Sequence, residues 1–274
     1  MKFMTKLSKK IKGHKLLFGI IILFFLVFAG WAIYAYLNKV MPQSAIYFLN
    51  DIEAPKAGNK ILVFSPHPDD ETIALGGYIY DATKAGAEVQ IVLVTDGNKQ
   101  GLKSQRYAEF KKATARLGVK SSSLVFLGHP DGSLSTVKES KLATEFEVQI
   151  NNFEPNIVFY PHLDDQHLDH AYTGQIAKKV TENLDMIDYQ YLVHAKYFPQ
   201  PQTYHPDDYL LPPQKLVTFD HEWQRYLVSP ETEAVQKKAV EEYVTQMKNP
   251  LVRELSYSMI RKNELFAVDR EEGD

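Results

Sequence analysis

From Leu16 to Leu37 the chain reads LLFGIIILFFLVFAGWAIYAYL, an apolar run without a charge. About twenty such residues, rising about 1.5 Å each, cross the hydrocarbon core of a bilayer. The run therefore predicts one transmembrane helix. A cleaved signal peptide would carry an apolar region of about 7–15 residues and a small-x-small site. Ala32 and Ala35 are spaced wrongly for such a site, so the segment reads as an uncleaved anchor. Residues 38–59, interrupted by Pro42, Pro55 and Gly58, read as a linker with a docking segment.

Beyond Asn59 the pattern changes to short apolar runs that alternate with helical spacing. Lys60–Ser65 (KILVFS) is apolar throughout and stops at Pro66, as expected of a strand buried on both faces. Asp70–Ala85 has helical spacing and ends before Gly86. Glu88–Thr95 predicts a second strand, closed by the turn signal Asp96-Gly97. A helix over Ser104–Leu117 closes at Gly118. The strand Ser123–Leu127, a helix over Thr136–Asn151, the strand Asn156–Tyr160 and a helix over Leu168–Leu184 follow. Later strands are expected over Tyr189–Tyr197 and Lys215–Phe219, and a last helix over Glu231–Met247. Alternation of this kind predicts an α/β fold with a mostly parallel sheet and helices on both faces.

Charge adds a direction to this picture. Six lysines (Lys2, Lys6, Lys9, Lys10, Lys12, Lys15) precede the apolar run and no acid accompanies them. Positive residues stay on the cytoplasmic side, which sends the body of the chain across the membrane. Trp31, Tyr34 and Tyr36 then fall near the outer interface. The whole chain carries a formal charge of -3, so the body without that tail is acidic. An acidic body lacks the basic stripe of a nucleic-acid binder. Cysteine is absent, which leaves His, Asp and Glu as the available metal ligands.

Two clusters of imidazoles and carboxylates sit where predicted strands end. Pro66-His67-Pro68-Asp69-Asp70-Glu71 follows the first strand, and His162-Leu163-Asp164-Asp165-Gln166-His167-Leu168-Asp169-His170 follows Asn156–Tyr160. Open parallel sheets gather ligands at the carboxyl ends of their strands. Each cluster alone is compatible with an ordinary loop and an Asp helix cap. Two on one sheet predict a site. A His2Asp set suits zinc with an open position, and Fe2+ fits the same donors. A neighbouring carboxylate can take a proton from water, and an imidazole can stabilise an oxyanion or protonate a leaving group.

His67-Pro68-Asp69-Asp70-Glu71 paired with His167-Leu168-Asp169-His170 resembles the PIG-L/LmbE family of zinc-dependent N-acetylglucosaminyl deacetylases. The first motif matches in full; in the second, Leu168 stands where the family has proline. The resemblance implies a Rossmann-like fold and hydrolysis of the acetamide of an N-acetylglucosamine-containing saccharide or glycoconjugate. It implies His67, Asp70 and His170 as zinc ligands and Asp69 as general base. His167 then faces the oxyanion or the leaving amine, and Asp169 completes the catalytic set by orienting an imidazole. Weaker echoes are Thr95-Asp96-Gly97, Arg106 with Glu109, Gly118, Asp131-Gly132, and Lys237 with Gln246, with Tyr243 where histidine is frequent. Arg106 and Asp131 are the candidate substrate-binding residues. The anchor and linker lie outside the resemblance; the organisation expected from hydropathy, charge and motifs together is a basic cytoplasmic tail (1–15), an anchor (16–37), a linker (38–59) and an extracytoplasmic deacetylase domain (60–274), working on an N-acetylated sugar. A metal-dependent amidase acting on a non-sugar amide, or a catalytically silent saccharide-binding domain, would carry the same motifs.

Several other residues read as bystanders. His205-Pro206-Asp207-Asp208 repeats the tetrapeptide of the first motif, but it lies among prolines with no apolar strand before it. His194 and His221 read as ordinary strand or loop residues, His129 as a loop residue in preference to a metal ligand, and His162 and Asp164 either as part of the site rim or as a solvated turn. Tyr160, Tyr172, Tyr197, Tyr204, Trp223 and Tyr226 are expected mainly in packing, with sugar stacking as the other role for such rings.

Overall fold

The structure, a computed structural model, describes residues 2–37 and 41–270, with side chains at 15–36 and 41–270. Lys2, Lys6, Lys9, Lys10 and Lys12 of the expected basic tail lie outside the described side chains, and residues 38–40 and 271–274 lie outside the described residues. The chain divides into two units, Met1–Lys39 and Val40–Asp274. The first is the helix α1 (Lys2–Leu37). Within it Lys15–Tyr36 is long and apolar enough to cross a membrane, with a mean hydropathy of 2.8 and its side chains unburied.

The second unit is built on an eight-stranded sheet among the described residues. Its strands are β1 (Asn50–Asp51), β2 (Lys60–Ser65), β3 (Glu88–Thr95), β4 (Leu124–His129), β5 (Ile157–Pro161), β6 (Ile187–Tyr191), β7 (His221–Leu227) and β8 (Asn263–Asp269). They lie in the order β1-β7-β8-β6-β5-β2-β3-β4, parallel except for β8, which runs antiparallel to both neighbours. The helices are α2 (Asp70–Ala85), α3 (Lys103–Arg116), α4 (Glu139–Phe153), α5 (Leu168–Thr181), α6 (Pro230–Val240), α7 (Val244–Met247) and α8 (Pro250–Ser258). The fold is Rossmann-like.

Strand β2 shows why its run is continuously apolar. Ile61 and Val63 face one layer with Leu75 and Tyr78 of α2, Phe110 of α3 and Ala239 of α6. Leu62 and Phe64 face the other with Phe146 of α4 and Ile176 of α5. Alternate residues point to opposite faces, and helices cover both, so every position but the first is buried. Phe64 and Phe146 stack with ring centroids 4.1 Å apart.

The sequence reading departs from the structure at β6: the strand expected over Tyr189–Tyr197 is Ile187–Tyr191, and the chain leaves the sheet before His194. Where a strand is expected over Lys215–Phe219, Gln214–Leu216 forms a 3-10 turn and β7 begins at His221. The reason lies in side chains: the Trp223 indole and the His221 imidazole both donate to the Leu216 carbonyl, at 2.6 and 2.8 Å. That carbonyl is therefore turned away from any ladder. The helix expected over Glu231–Met247 breaks after Val240, because Tyr243 (φ -79, ψ 59) turns inward to reach Glu71. Helix α8 and strand β8 have no counterpart in the reading. The segment 43–52 carries a 3-10 turn (Gln43–Phe48) and β1, and Ala45, Ile46 and Ile52 are buried in the body.

Strand β8 also repairs a break in α2. Leu75 departs from helical geometry (φ -146, ψ 26), which frees the amides of Gly77 and Tyr78. Both donate to the buried carboxylate of Glu264, at 2.6 and 2.8 Å. A Cβ on Gly77 would lie 3.1 Å from that carboxylate, so glycine permits the approach. Glu264→Ala leaves two buried amides without a partner. It is expected to lower unfolding free energy by roughly 2–4 kcal/mol, read from denaturant unfolding of the detergent-solubilised chain. A loss within the error of the extrapolation would exclude this capping role.

Candidate metal and active site

The site lies at the carboxyl ends of β2, β5 and β6. After β2 the chain turns through Pro66-His67-Pro68-Asp69 into α2. The turn is folded tightly: the His67 amide donates to Asp70 Oδ2 at 2.8 Å, and the Ser65 hydroxyl sits between the His67 carbonyl (2.8 Å) and Glu71 Oε2 (2.9 Å). Asp69 adopts φ 128 and ψ -30, a conformation that costs a non-glycine residue free energy. The Asp69 amide donates to Glu71 Oε2 at 3.4 Å, and the Glu71 carboxylate accepts in addition from Tyr243, Thr72 and Ser65. After β5 the chain enters α5 through His167, whose Nδ1 accepts from the Asp169 amide at 3.3 Å. Helix α5 can lie against the end of β5 because residue 174 is glycine: a Cβ there would be 2.2 Å from the Pro161 carbonyl oxygen.

These two turns bring together side chains from both motifs. His67 Nδ1, Asp70 Oδ2 and His170 Nε2 form a triangle with edges of 3.1, 3.2 and 3.0 Å. The outer nitrogen of each imidazole is already engaged. His67 Nε2 lies 3.1 Å from Asp169 Oδ2, and His170 Nδ1 lies 3.2 Å from Asp165 Oδ2. An imidazole that donates from one nitrogen presents a lone pair at the other. Two lone pairs and a carboxylate oxygen thus converge in a buried place, an arrangement that demands a cation. Ligands about 2.1 Å from a tetrahedral ion stand roughly 3.4 Å apart, close to the edges observed. The donor set fits zinc, with His67, Asp70 and His170 as the residues that would hold it.

The electrostatics point the same way. Burial disfavours a charged imidazole, yet the carboxylates of Asp169 and Asp70 push His67 up to about 9. Against burial too, Asp70 and Asp165 hold His170 well above its usual value. Asp70, despite its burial, is held well below the usual carboxylate range by His170 and His67. The cluster is built to hold positive charge between carboxylates.

A cavity of about 260 Å³ opens over the triangle, and Asp69, Arg106, Asp131, His167 and His194 line it together with Gln246, Val252 and Leu255. Burial pushes the Asp69 carboxyl up to about 7, opposed by Arg106. His167 is driven down to about 4 by burial and by the charge on His67 and His170, so it is neutral. With its Nδ1 accepting, its proton resides on Nε2. The Arg106 guanidinium donates to the Pro68 carbonyl (2.8 Å) and to Asp131 Oδ2 (3.2 Å), and lies 3.5 Å from Asp69 Oδ1. Its Nε is buried without a partner. Asp169 does not line the cavity. It accepts from the Gly132 and Leu134 amides (2.7 and 3.0 Å) and props His67 from behind.

The echoes and bystanders separate cleanly. Glu109 accepts from the Thr245 amide and hydroxyl, tying α3 to α7. Lys237 pairs with Glu241 on the surface. His129 pairs with Glu145 at 2.5 Å. His162, expected in a solvated turn, is buried instead: its ring stacks on Trp223 at 5.3 Å. In the repeated tetrapeptide, Asp208 and the His205 carbonyl both accept from the wholly buried Arg261, which also donates to the Pro201 and Ser258 carbonyls. That segment is a loop clasped by one guanidinium. Arg261→Met is expected to cost on the order of 3 kcal/mol of stability while metal content per folded chain stays unchanged. Unfolding and atomic emission on the same preparation measure both.

Sequence reasoning passed over Asp165, His194 and the α8 wall of the cavity. Asp165 lay inside a cluster already singled out. His194 falls inside the strand expected over Tyr189–Tyr197; because β6 ends at Tyr191 it lies instead at a carboxyl end, where ligands gather in parallel sheets.

Comparison with known proteins bears on this geometry. The PIG-L family, described as GlcNAc-PI de-N-acetylase, matches over residues 62–181, which include both motifs. A diacetylchitobiose deacetylase of Thermococcus kodakarensis is 32% identical over 127 residues, covering 42% of this chain and 46% of that protein. A probable N-acetyl-alpha-D-glucosaminyl L-malate deacetylase 2 of Bacillus anthracis is 29% identical over 129 residues, 42% of this chain and 56% of that one. The match thus spans about half the length of these relatives. Among solved structures, a deacetylase of the teicoplanin biosynthetic pathway superposes with a TM-score of 0.60 at 19% identity, covering 79% of this chain and all of that one. The N,N'-diacetylchitobiose deacetylase of Pyrococcus horikoshii gives 0.54 at 20% identity, covering 77% and 84%. These likenesses are of fold. Both motifs lie inside residues 62–181, the segment similar to the PIG-L family, and the fold is that of these deacetylases.

Proposed function

We propose that this chain is a membrane-anchored, zinc-dependent N-deacetylase that hydrolyses the acetamide of an N-acetylglucosamine-containing saccharide or glycoconjugate. The observation that carries the reading is the buried triangle of His67, Asp70 and His170, with Asp69 and a neutral His167 in the cavity above it. Zinc held by those three residues would supply Lewis acidity and a water of lowered pKa; Fe2+ would serve the same donors. Asp69 takes the proton of the attacking water. His167 Nε2–H donates to the oxyanion that develops on the acetyl oxygen. The proton held by Asp69 then passes to the nitrogen as the C–N bond breaks, giving acetate and a free amine. Asp169 and Asp165 fix the two imidazoles, and Arg106 restrains Asp69 from the side. Asp131, joined to Arg106 in the cavity wall, and Arg106 itself are the groups placed to meet sugar hydroxyls.

The span Lys15–Tyr36 would anchor the enzyme, with the lysine-bearing end cytoplasmic and the deacetylase domain outside. Cell-wall glycans, secreted polysaccharide and lipid-linked saccharides are the N-acetyl sugars within reach there. Reporters on each terminus test that orientation, and an externally accessible N-terminus would reverse it. For the reaction, acetate release from N-acetylglucosamine and short chitin-type oligomers is followed with the purified full chain. Release that stops on chelation and returns with zinc is the expected result. Bound metal without release would move the substrate to another acyl group, and a chain that binds no metal would sink the reading.

A further inference from the structure

Four imidazoles crowd this site, and the proposed chemistry uses three. The fourth, His194, stands just beyond β6. Its backbone is fixed on both sides: its amide donates to Asp165 Oδ2 at 2.9 Å, and its carbonyl accepts from the Gln166 amide at 2.7 Å. Asp165 Oδ2 is the same oxygen that engages His170 Nδ1. The Cα of His194 is therefore registered to a metal-directed imidazole through one shared carboxylate. Its ring lines the cavity, with its centroid 4.8 Å from that of His170 and 5.4 Å from that of His167. Among the described residues neither ring nitrogen makes a hydrogen bond.

Ligand atoms of Asp70, His170 and His194 all lie within 4.8 Å of one another. Two ligands of one ion with bonds of about 2.1 Å can be no more than about 4.2 Å apart. Binding the same ion would require the His194 ring to turn toward His170 on its fixed backbone. His167 also lies within such a set, with His67 and His170. The Nδ1 of His167, however, already accepts from the Asp169 amide, whereas both ring nitrogens of His194 are uncommitted among the described residues. The donor triangle contributes three ligands, and a catalytic zinc site leaves its fourth position to water or substrate.

We propose that His194 is a fourth protein ligand of this centre, bound when the cavity is empty and turned aside when an acyl oxygen or carboxylate takes its place. The inference rests on the metal reading above. It makes the empty enzyme a closed His3Asp site, with an imidazole guarding the position that the substrate needs.

The test uses the full chain in detergent, stripped of metal and titrated with Co2+ and Zn2+, as wild type, His194→Ala and His194→Gln. The expected result is a visible Co2+ spectrum of four-coordinate type in the wild type and an altered one in both variants. Zinc affinity in chelator competition should fall about tenfold or more in the variants. Acetate, added as a carboxylate probe, should change the Co2+ spectrum of the variants at lower concentration than that of the wild type. Thermal unfolding of the metal-free proteins shows whether each variant folds, and the Gln variant keeps the volume and polarity if Ala fails. Identical spectra and affinities in folded wild type and variants would overturn the His194 ligand while leaving the metal centre standing. A wild type that binds neither ion would overturn both.

Discussion

Asp69→Asn is expected to lower acetate release by about 10²–10⁴-fold, the range for loss of a general base, while leaving metal content at the wild-type level. The two halves of that expectation have separate causes. Asp69 lines the cavity but is not a corner of the triangle formed by His67, Asp70 and His170. Asparagine has the same shape and tolerates positive φ better than most residues, so the turn at φ 128 survives. The amide cannot accept the proton of water. His67→Ala removes a corner of the triangle, and activity and bound metal should disappear together. Acetate assays paired with atomic emission on both variants distinguish the roles. An Asp69→Asn enzyme that keeps wild-type turnover would remove the base from Asp69.

What the sequence made legible follows from how local each cause is. Strand β2 and the first bounds of α2 were readable because Pro66 and Gly86 punctuate them and both faces of β2 are buried. Sheet-wide alternation of strand and helix made the α/β class plain. Strand β8 was not readable: Asn263–Asp269 is a short run with no turn signal, placed antiparallel between β6 and β7 by partners far along the chain. Leu75 breaks α2 because Glu264, 187 residues from Gly77, offers a cap. The site divides in the same way. His67 and Asp70 are three residues apart on one turn, and His167, Asp169 and His170 on another, so each group shows as a pattern. Asp169 was expected to orient an imidazole; that it serves His67, 102 residues away, is a product of the sheet. Asp165 lies in the second cluster but its role does not show there, because its partners include the Val193 and His194 amides after β6; His194 itself belongs to no short pattern.

That shared carboxylate sets the second large effect. Asp165→Asn is expected to weaken zinc binding by about 10–100-fold, the usual consequence of losing the partner that orients a ligating imidazole. Asp165 Oδ2 faces three donors: His170 Nδ1 at 3.2 Å and the amides of Val193 and His194 at 3.0 and 2.9 Å. Its Oδ1 accepts from the His167 amide at 2.9 Å. Asparagine keeps one acceptor oxygen and places an NH2 where the other stood. Whichever way it turns, that NH2 confronts donors: His170 and two amides on one side, or the His167 amide on the other. The His170 ring is then free to adopt the tautomer that puts its proton on Nε2, the corner of the triangle where a lone pair is required. Asp169→Asn should act more weakly, because the Asp131 carboxylate, 3.4 Å from His67 Nε2, remains as a second acceptor. Zinc affinity by chelator competition on folded protein orders the two. A Asp165 variant that binds zinc as tightly as the wild type would mean that packing alone, with Gly174 seating α5 on β5, suffices to aim His170.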